Sequence, residues 1–293
     1  MNLFIPTAFS RVVCVVALSL LSLLLIGASP ASAQPLSLFD DVSRPGLPGR
    51  LFVPNQAETS ARPLVLFLHG AGATGSNNTS QINGNMGGLF AEAQSEGAFI
   101  YAPQATTFQW SSEDRTDLVM STIDEIIATE NVDPTRIYVT GLSMGGGGTW
   151  NMANRFPDRF AAALPIAAVS PASDFDAANF LDLPTWAFHG RSDITVSVEA
   201  TRSVVSDIIL EAGDVVPEFP EERGADLIYA SDSIDLQYSE WRASGHTIWF
   251  RVYQDTPEVY DWMFARSIPE PAAGLMLIIA ALSGFGIYRR RYR

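Results

Sequence analysis

Residues 136–148 read Arg136-Ile137-Tyr138-Val139-Thr140-Gly141-Leu142-Ser143-Met144-Gly145-Gly146-Gly147-Gly148. The first five form an apolar, β-branched and aromatic run, which predicts a strand buried on both faces of a parallel sheet. Gly141 to Gly145 then spell G-x-S-x-G, and the glycines that follow lead into a helical stretch. Strand, tight turn and helix in that order are the setting of a nucleophile elbow. Glycines on both sides of the serine permit the turn, because a Cβ there would collide with neighbouring strands. Such a turn lifts Ser143 Oγ above the sheet at a helix N-terminus, where the dipole favours negative charge.

A serine nucleophile needs a base, usually histidine, and the chain has three. His69 and His189 each end an apolar run in a His-Gly pair, and His246 comes last, in Ser244-Gly245-His246. An elbow of this kind orders its partners serine, acid, histidine along the chain. That order selects His246 as the base. Asp193, just past the run Pro184–Phe188, is the acid that would hold the imidazole tautomer. Asp174, Asp176 and Asp182 precede that run and so start on the wrong side of the sheet. An oxyanion calls for two backbone donors. The amide of Met144, next to the nucleophile, supplies one. The loop His69-Gly70-Ala71-Gly72 supplies the other through Ala71, with His69 itself bonding backbone groups.

Further apolar runs lie at Leu64–Leu68, Ala98–Tyr101 and Ala161–Ala168, with an edge strand near Arg50–Val53. Amphipathic periods predict helices over Asp114–Glu130, Val198–Ala212 and Thr256–Arg266. Alternation of strand and helix predicts an α/β fold, a mostly parallel sheet with helices on both faces. The connection between Ala168 and Pro184 leaves no room for a large cap domain. Residues 213–240 are acidic, carry two prolines and few bulky apolar groups, and read as a surface insertion that would overhang the cleft. Trp110, Trp241 and Trp249 are candidate substrate-binding residues, the first beyond Ala98–Tyr101 and the other two flanking His246.

The chain has 293 residues, no lysine, 18 arginines and 32 acids, for a net charge of −14. That balance excludes a nucleic-acid partner, which needs a basic footprint. One cysteine, Cys14, excludes a disulfide framework and a thiolate metal cluster. Three scattered histidines offer no metal site and no cofactor is implied. Residues 1–33 have the form of a secretory signal: Arg11, an apolar stretch from Val12 to Ala28, then Ala31-Ser32-Ala33 before Gln34. At the other end Pro269-Glu270-Pro271 precedes the uncharged run 272–288 and four terminal arginines. As a helix that run is roughly 25 Å long, the short end of a membrane span. Between the two segments, residues 34–268 keep 31 acids and 13 arginines, a net charge of −18, and suit one catalytic domain.

Two resemblances follow from these residues. The stretch Leu64–Arg266 resembles the α/β-hydrolase superfamily, and within it the predicted-peptidase and feruloyl-esterase-like branch near the polyhydroxybutyrate-depolymerase type. The residues that carry it are Leu68-His69-Gly70-Ala71-Gly72, Pro103-Gln104, Gln109-Trp110, Asn131 to Tyr138, Gly141 to Gly146, Phe156 to Phe160, His189-Gly190, Asp193, Gly245-His246 and Tyr260-Asp261-Trp262. The resemblance implies a metal-independent serine hydrolase acting on esters, with a serine peptidase of the same fold as the alternative; an open cleft without a large cap would admit bulky or polymeric esters. A non-catalytic surface or matrix protein that retains the fold is the other alternative, and the intact Ser143, Asp193 and His246 argue against it. The Pro-Glu-Pro, apolar run and arginine cluster resemble the PEP-CTERM sorting signal. This implies export, transient membrane anchoring and cleavage by an exosortase-type transpeptidase, leaving the product periplasmic, at the cell surface or extracellular.

Overall fold

The computed structural model describes residues 36–221 and 224–269. The signal and sorting segments expected at the two ends lie outside these residues, apart from Pro269. Along the described chain come β1 (Phe39–Asp41), β2 (Gly49–Phe52), β3 (Arg62–Leu68), α1 (Gly87–Glu96), β4 (Phe99–Pro103), α2 (Glu113–Thr129), β5 (Val132–Leu142) and α3 (Met144–Arg155). They continue with β6 (Ala162–Ile166), β7 (Thr185–Gly190), α4 (Glu199–Glu211), β8 (Leu227–Ala230), β9 (Leu236–Trp241), α5 (Trp249–Asp255) and α6 (Glu258–Phe264). No helix among the described residues is long and apolar enough to cross a membrane.

The strands form one sheet in the order β1-β2-β4-β3-β5-β6-β7-β9-β8. The six from β4 to β9 in that order are parallel, and β1, β2 and β8 add antiparallel edges. Alternate residues of the central strands feed two separate cores. Leu64, Leu66 and Leu68 of β3 join Ile137 and Val139 of β5 on the face covered by α2, α3 and α4. Val65 and Phe67 join Tyr138 and Leu142 on the face covered by α1, α5 and α6. Burial on both faces is why these strands read as unbroken apolar runs. The chain leaves β3 toward β4 on one side and leaves β5 toward β6 on the other. Neighbouring loops therefore part at the carboxyl ends of β3 and β5, the crevice where open α/β sheets bind ligands. Between β6 and β7, residues 167–184 hold a single turn of 3-10 helix, Ala177–Phe180, and no cap.

One expectation needs correction. Residues 213–240 are not wholly an insertion: β9 pairs in parallel with β7, and β8 closes the edge beside it. Among the described residues, 213–221 and 224–226 before β8, and 231–235 between β8 and β9, lie outside the strands. The acidic reading failed at Glu240, which is fully buried in β9. There it accepts hydrogen bonds from Arg191 Nε at 2.5 Å, from Arg202 Nε and Nη2 at 2.7 Å, and from the Tyr238 hydroxyl at 2.9 Å. A buried charge survives when paired and hydrogen-bonded in this way.

Candidate active site

β5 delivers Ser143 and α3 begins at the next residue. Ser143 has φ 57° and ψ −118°, a conformation that non-glycine residues rarely adopt and that needs support from the surroundings. The support is close packing. A Cβ on Gly141 would stand 2.7 Å from the Leu68 carbonyl oxygen, and one on Gly145 only 1.9 Å from the same atom. The elbow thus sits directly against the end of β3, and nothing larger than glycine fits at either position. Gly70 lies against the other side of the turn, where an added Cβ would come within 3.6 Å of Ser143 Cβ. Ala71 follows at the head of a one-turn 3-10 helix, Ala71–Ala73. Met144 heads α3. First amides of helical turns have no partner inside the turn, so both backbones bring donors to the same end of the sheet as Ser143 Oγ.

Ser143 Oγ lies 2.9 Å from His246 Nε2, and His246 Nδ1 lies 2.7 Å from Asp193 Oδ2. The three side chains come from the ends of β5, β7 and β9, separated by up to 103 residues. Asp193 is buried, and its other oxygen accepts the amides of Thr195 at 2.8 Å and Val196 at 2.9 Å. Burial alone would oppose its charge. The Val196 amide, His246 and the Thr195 amide outweigh that and hold the carboxyl below the usual carboxylate range. Trp249 stands edge-on to His246 with centroids 5.2 Å apart, and its indole N–H donates to Asn85.

The other expected residues fall as follows. His69 is buried. Its Nδ1 donates to the Gly70 carbonyl at 2.7 Å and its Nε2 accepts the Ala105 amide at 2.9 Å. Burial pushes its imidazole down to about 4, so the ring is a neutral brace for the Gly70–Ala71 loop. Trp110 is also buried: its N–H donates to the His69 carbonyl at 3.1 Å, and its Cβ fills the space over Gly148. Trp241 packs against Phe188, under the Arg251 guanidinium at 3.8 Å. Of the three tryptophans, Trp249 is the one that touches the Ser143–His246–Asp193 group. Sequence reasoning named two further residues without assigning them a part in the site. Gln104 donates to the Ala73 carbonyl and to Asn77 and accepts the Asn78 amide, tying down the loop after β3. His189, set aside on chain order, lies beside Asp193. Among the described residues no group of three histidine, cysteine, aspartate or glutamate side chains converges to hold a metal ion.

The chain is similar in sequence and in fold to several known proteins. The model of the prolyl oligopeptidase family matches residues 103–203. A poly(3-hydroxybutyrate) depolymerase of Ralstonia pickettii is 31% identical over 154 residues, 46% of this chain and 32% of that protein. The solved structure of a thermostable esterase superposes with a TM-score of 0.65 at 29% identity, covering 79% of this chain and 64% of the other. An acetyl xylan esterase from Aspergillus awamori shares the fold, with a TM-score of 0.59 at 17% identity over 77% of this chain and 98% of its own. The chain spans less than half the length of the curated relatives it matches.

Proposed function

Because the chain belongs to the α/β-hydrolase superfamily, we propose that it is a carboxylic-ester hydrolase working through an acyl-enzyme. The observation that carries this reading is the continuous relay from Ser143 Oγ through His246 to Asp193, at 2.9 and 2.7 Å. Ser143 Oγ attacks the ester carbonyl carbon while His246 Nε2 takes the hydroxyl proton. The tetrahedral oxyanion is held by the amides of Ala71 and Met144. Its collapse breaks the bond to the alcohol, which leaves with the proton from His246. Water then attacks the acyl-serine with His246 again as base, releasing the acid and restoring Ser143. Asp193 keeps Nδ1 protonated throughout and offsets the imidazolium charge.

The uncapped connection after β6 and the resemblance to a depolymerase support bulky or polymeric esters as substrates. Phe108 and Ile194, both strongly exposed on loops at the carboxyl edge of the sheet, supply apolar contact area there. The protein acts outside the cytoplasm: residues 1–33 direct export, and the tail from Pro269 anchors the product until an exosortase-type enzyme cleaves it. The Ile268 amide bonds the Thr135 carbonyl near the start of β5, roughly 23 Å along the strand from Leu142. A membrane-held tail would therefore leave Ser143 at the far end of the sheet.

Labelling with a fluorophosphonate tests the nucleophile. Wild-type protein that folds yet stays unlabelled, or a Ser143→Ala variant that still labels, overturns the reading. The family match favours a peptidase as the second reading. Release of nitrophenol from short-chain esters, with no release from aminoacyl anilides, decides for the esterase. Mass spectrometry of the two termini in exported protein tests the processing.

A further inference from the structure

We infer that His189 is a positioning residue that holds Asp193 on His246; the inference rests on the triad reading above. His189 is the fifth residue of β7 and is fully buried. Its Nε2 faces two acceptors, the Val196 carbonyl at 3.1 Å and Asp193 Oδ2 at 3.4 Å. Two acceptors on one nitrogen require that nitrogen to carry the proton. Nδ1 is then the acceptor for the Thr201 hydroxyl of α4, at 2.7 Å. Burial disfavours the imidazolium, and the ring stays neutral in this tautomer. The charged and titratable groups around it are Asp193 and His246 on the site side and Glu240 across the register on β9. Glu240 is already compensated by Arg191 and Arg202.

This arrangement closes the loop that carries the acid. Val196 is held by both of its backbone polar groups: its N–H donates to Asp193 Oδ1, and its carbonyl accepts from His189. Thr201 ties the same ring to α4. The loop has no apolar anchor at its tip, because Ile194 is fully exposed. Polar ties from β7 and α4 are thus what fix the direction of the Asp193 carboxylate. Without His189 the carboxylate keeps its two amide donors but is free to rotate with the loop, off His246 Nδ1. The N–H of His189 also directs a positive dipole at Oδ2, the same oxygen that His246 Nδ1 contacts.

The test is kinetic and spectroscopic, on the full chain with p-nitrophenyl acetate. His189→Phe, which keeps the ring volume and removes the donor, is expected to lower kcat by about 10- to 100-fold, as small misplacements of a catalytic group do, with KM unchanged. His189→Gln, which retains a donor, restores most of the loss. In an Asp193→Asn background His189→Phe costs nothing further, because both changes act through one group. Nitrogen-15 labelling of histidine gives a readout independent of turnover. The proton that His246 Nδ1 donates to Asp193 is expected to be lost or broadened in His189→Phe, while that of His69 Nδ1 is unmoved. The inference is overturned if His189→Phe changes only the melting temperature, or costs the same factor in both backgrounds. If His189→Phe does not fold, Thr201→Val takes its place with the same expectations in both backgrounds. A wild type that hydrolyses no ester defeats the esterase reading instead, and the spectroscopic arm still decides the role of His189.

Discussion

A methyl group on Gly145 would stand 1.9 Å from the carbonyl oxygen of Leu68 and 2.7 Å from that of His69. Both obstacles are backbone atoms at the end of β3 and the start of the loop that brings Ala71 to the site, so neither can yield without moving that loop. Gly145→Ala is expected to cost at least the upper end of the about 1–3 kcal/mol typical of overpacking, and to abolish ester hydrolysis in whatever protein remains folded. Gly72 makes the internal comparison. A Cβ there meets nothing within 4 Å, so Gly72→Ala should leave stability within about 0.5 kcal/mol. Urea denaturation of the two variants beside wild type checks both statements.

His69 ties stability to pH. Its Nε2 already accepts the Ala105 amide, so a proton there would oppose one N–H with another. Its folded pKa, about 4, is below the ordinary histidine value of 6.5 because of burial. Between those values the unfolded chain binds more protons than the native one, so stability rises with pH. It is expected to fall as the pH drops from 6.5 toward 4, by on the order of 3 kcal/mol for a shift of this size. His69→Gln should flatten that slope in urea midpoints measured across the range, at the cost of lower stability at pH 7.

Glu240 holds the opposite edge. Burial raises its carboxyl pKa, but Arg202, Arg191 and Tyr238 outweigh burial and hold it below the usual range. The stability it supplies is therefore complete above the ordinary carboxylate range and is lost as pH falls through the depressed folded value. Glu240→Ala strands two arginines, one of them buried, and is expected to cost about 3–5 kcal/mol. Arg191 also donates to the carbonyls of Glu221, Gly224 and Ala225, and Arg202 to that of Pro220. The loop after α4 should loosen in the same variant, seen as faster limited proteolysis between residues 213 and 221.

The central strands were legible because burial on both faces writes itself as continuous apolar runs, as in Leu64–Leu68 and Arg136–Thr140. Ser143 was legible because its turn admits only glycine at 141 and 145. His246 was legible because three histidines and a fixed chain order leave little choice. β9 was not. It interleaves Gln237, Ser239 and Glu240 with Leu236, Tyr238 and Trp241, and Glu240 is tolerated inside only because arginines 38 and 49 residues away reach it. Nor was α1, which begins with Gly87-Gly88. Gly88 is required there because its backbone presses on the Tyr253 carbonyl of α5, where a Cβ would come within 1.9 Å. Pairings of this range leave no period in the local sequence. The proximity of His189 to Asp193 belongs to the same class, since it depends on how the loop after β7 folds back on the strand.

Asp193→Asn separates position from charge at the site. The asparagine side chain fits the same space and can still accept the amides of Thr195 and Val196 through Oδ1. Its amide nitrogen then faces His246 Nδ1 and donates to it, which moves the imidazole proton to Nε2. A proton on Nε2 points at Ser143 Oγ across the 2.9 Å contact, and the ring can no longer accept the hydroxyl proton. In serine hydrolases that use this relay the change costs about 10⁴-fold in kcat while geometry is retained. The same loss is expected here at nearly unchanged KM and melting temperature, measured with p-nitrophenyl acetate. A drop confined to KM would place Asp193 in substrate binding, and a drop matched by unfolding would make it a brace of the loop after β7.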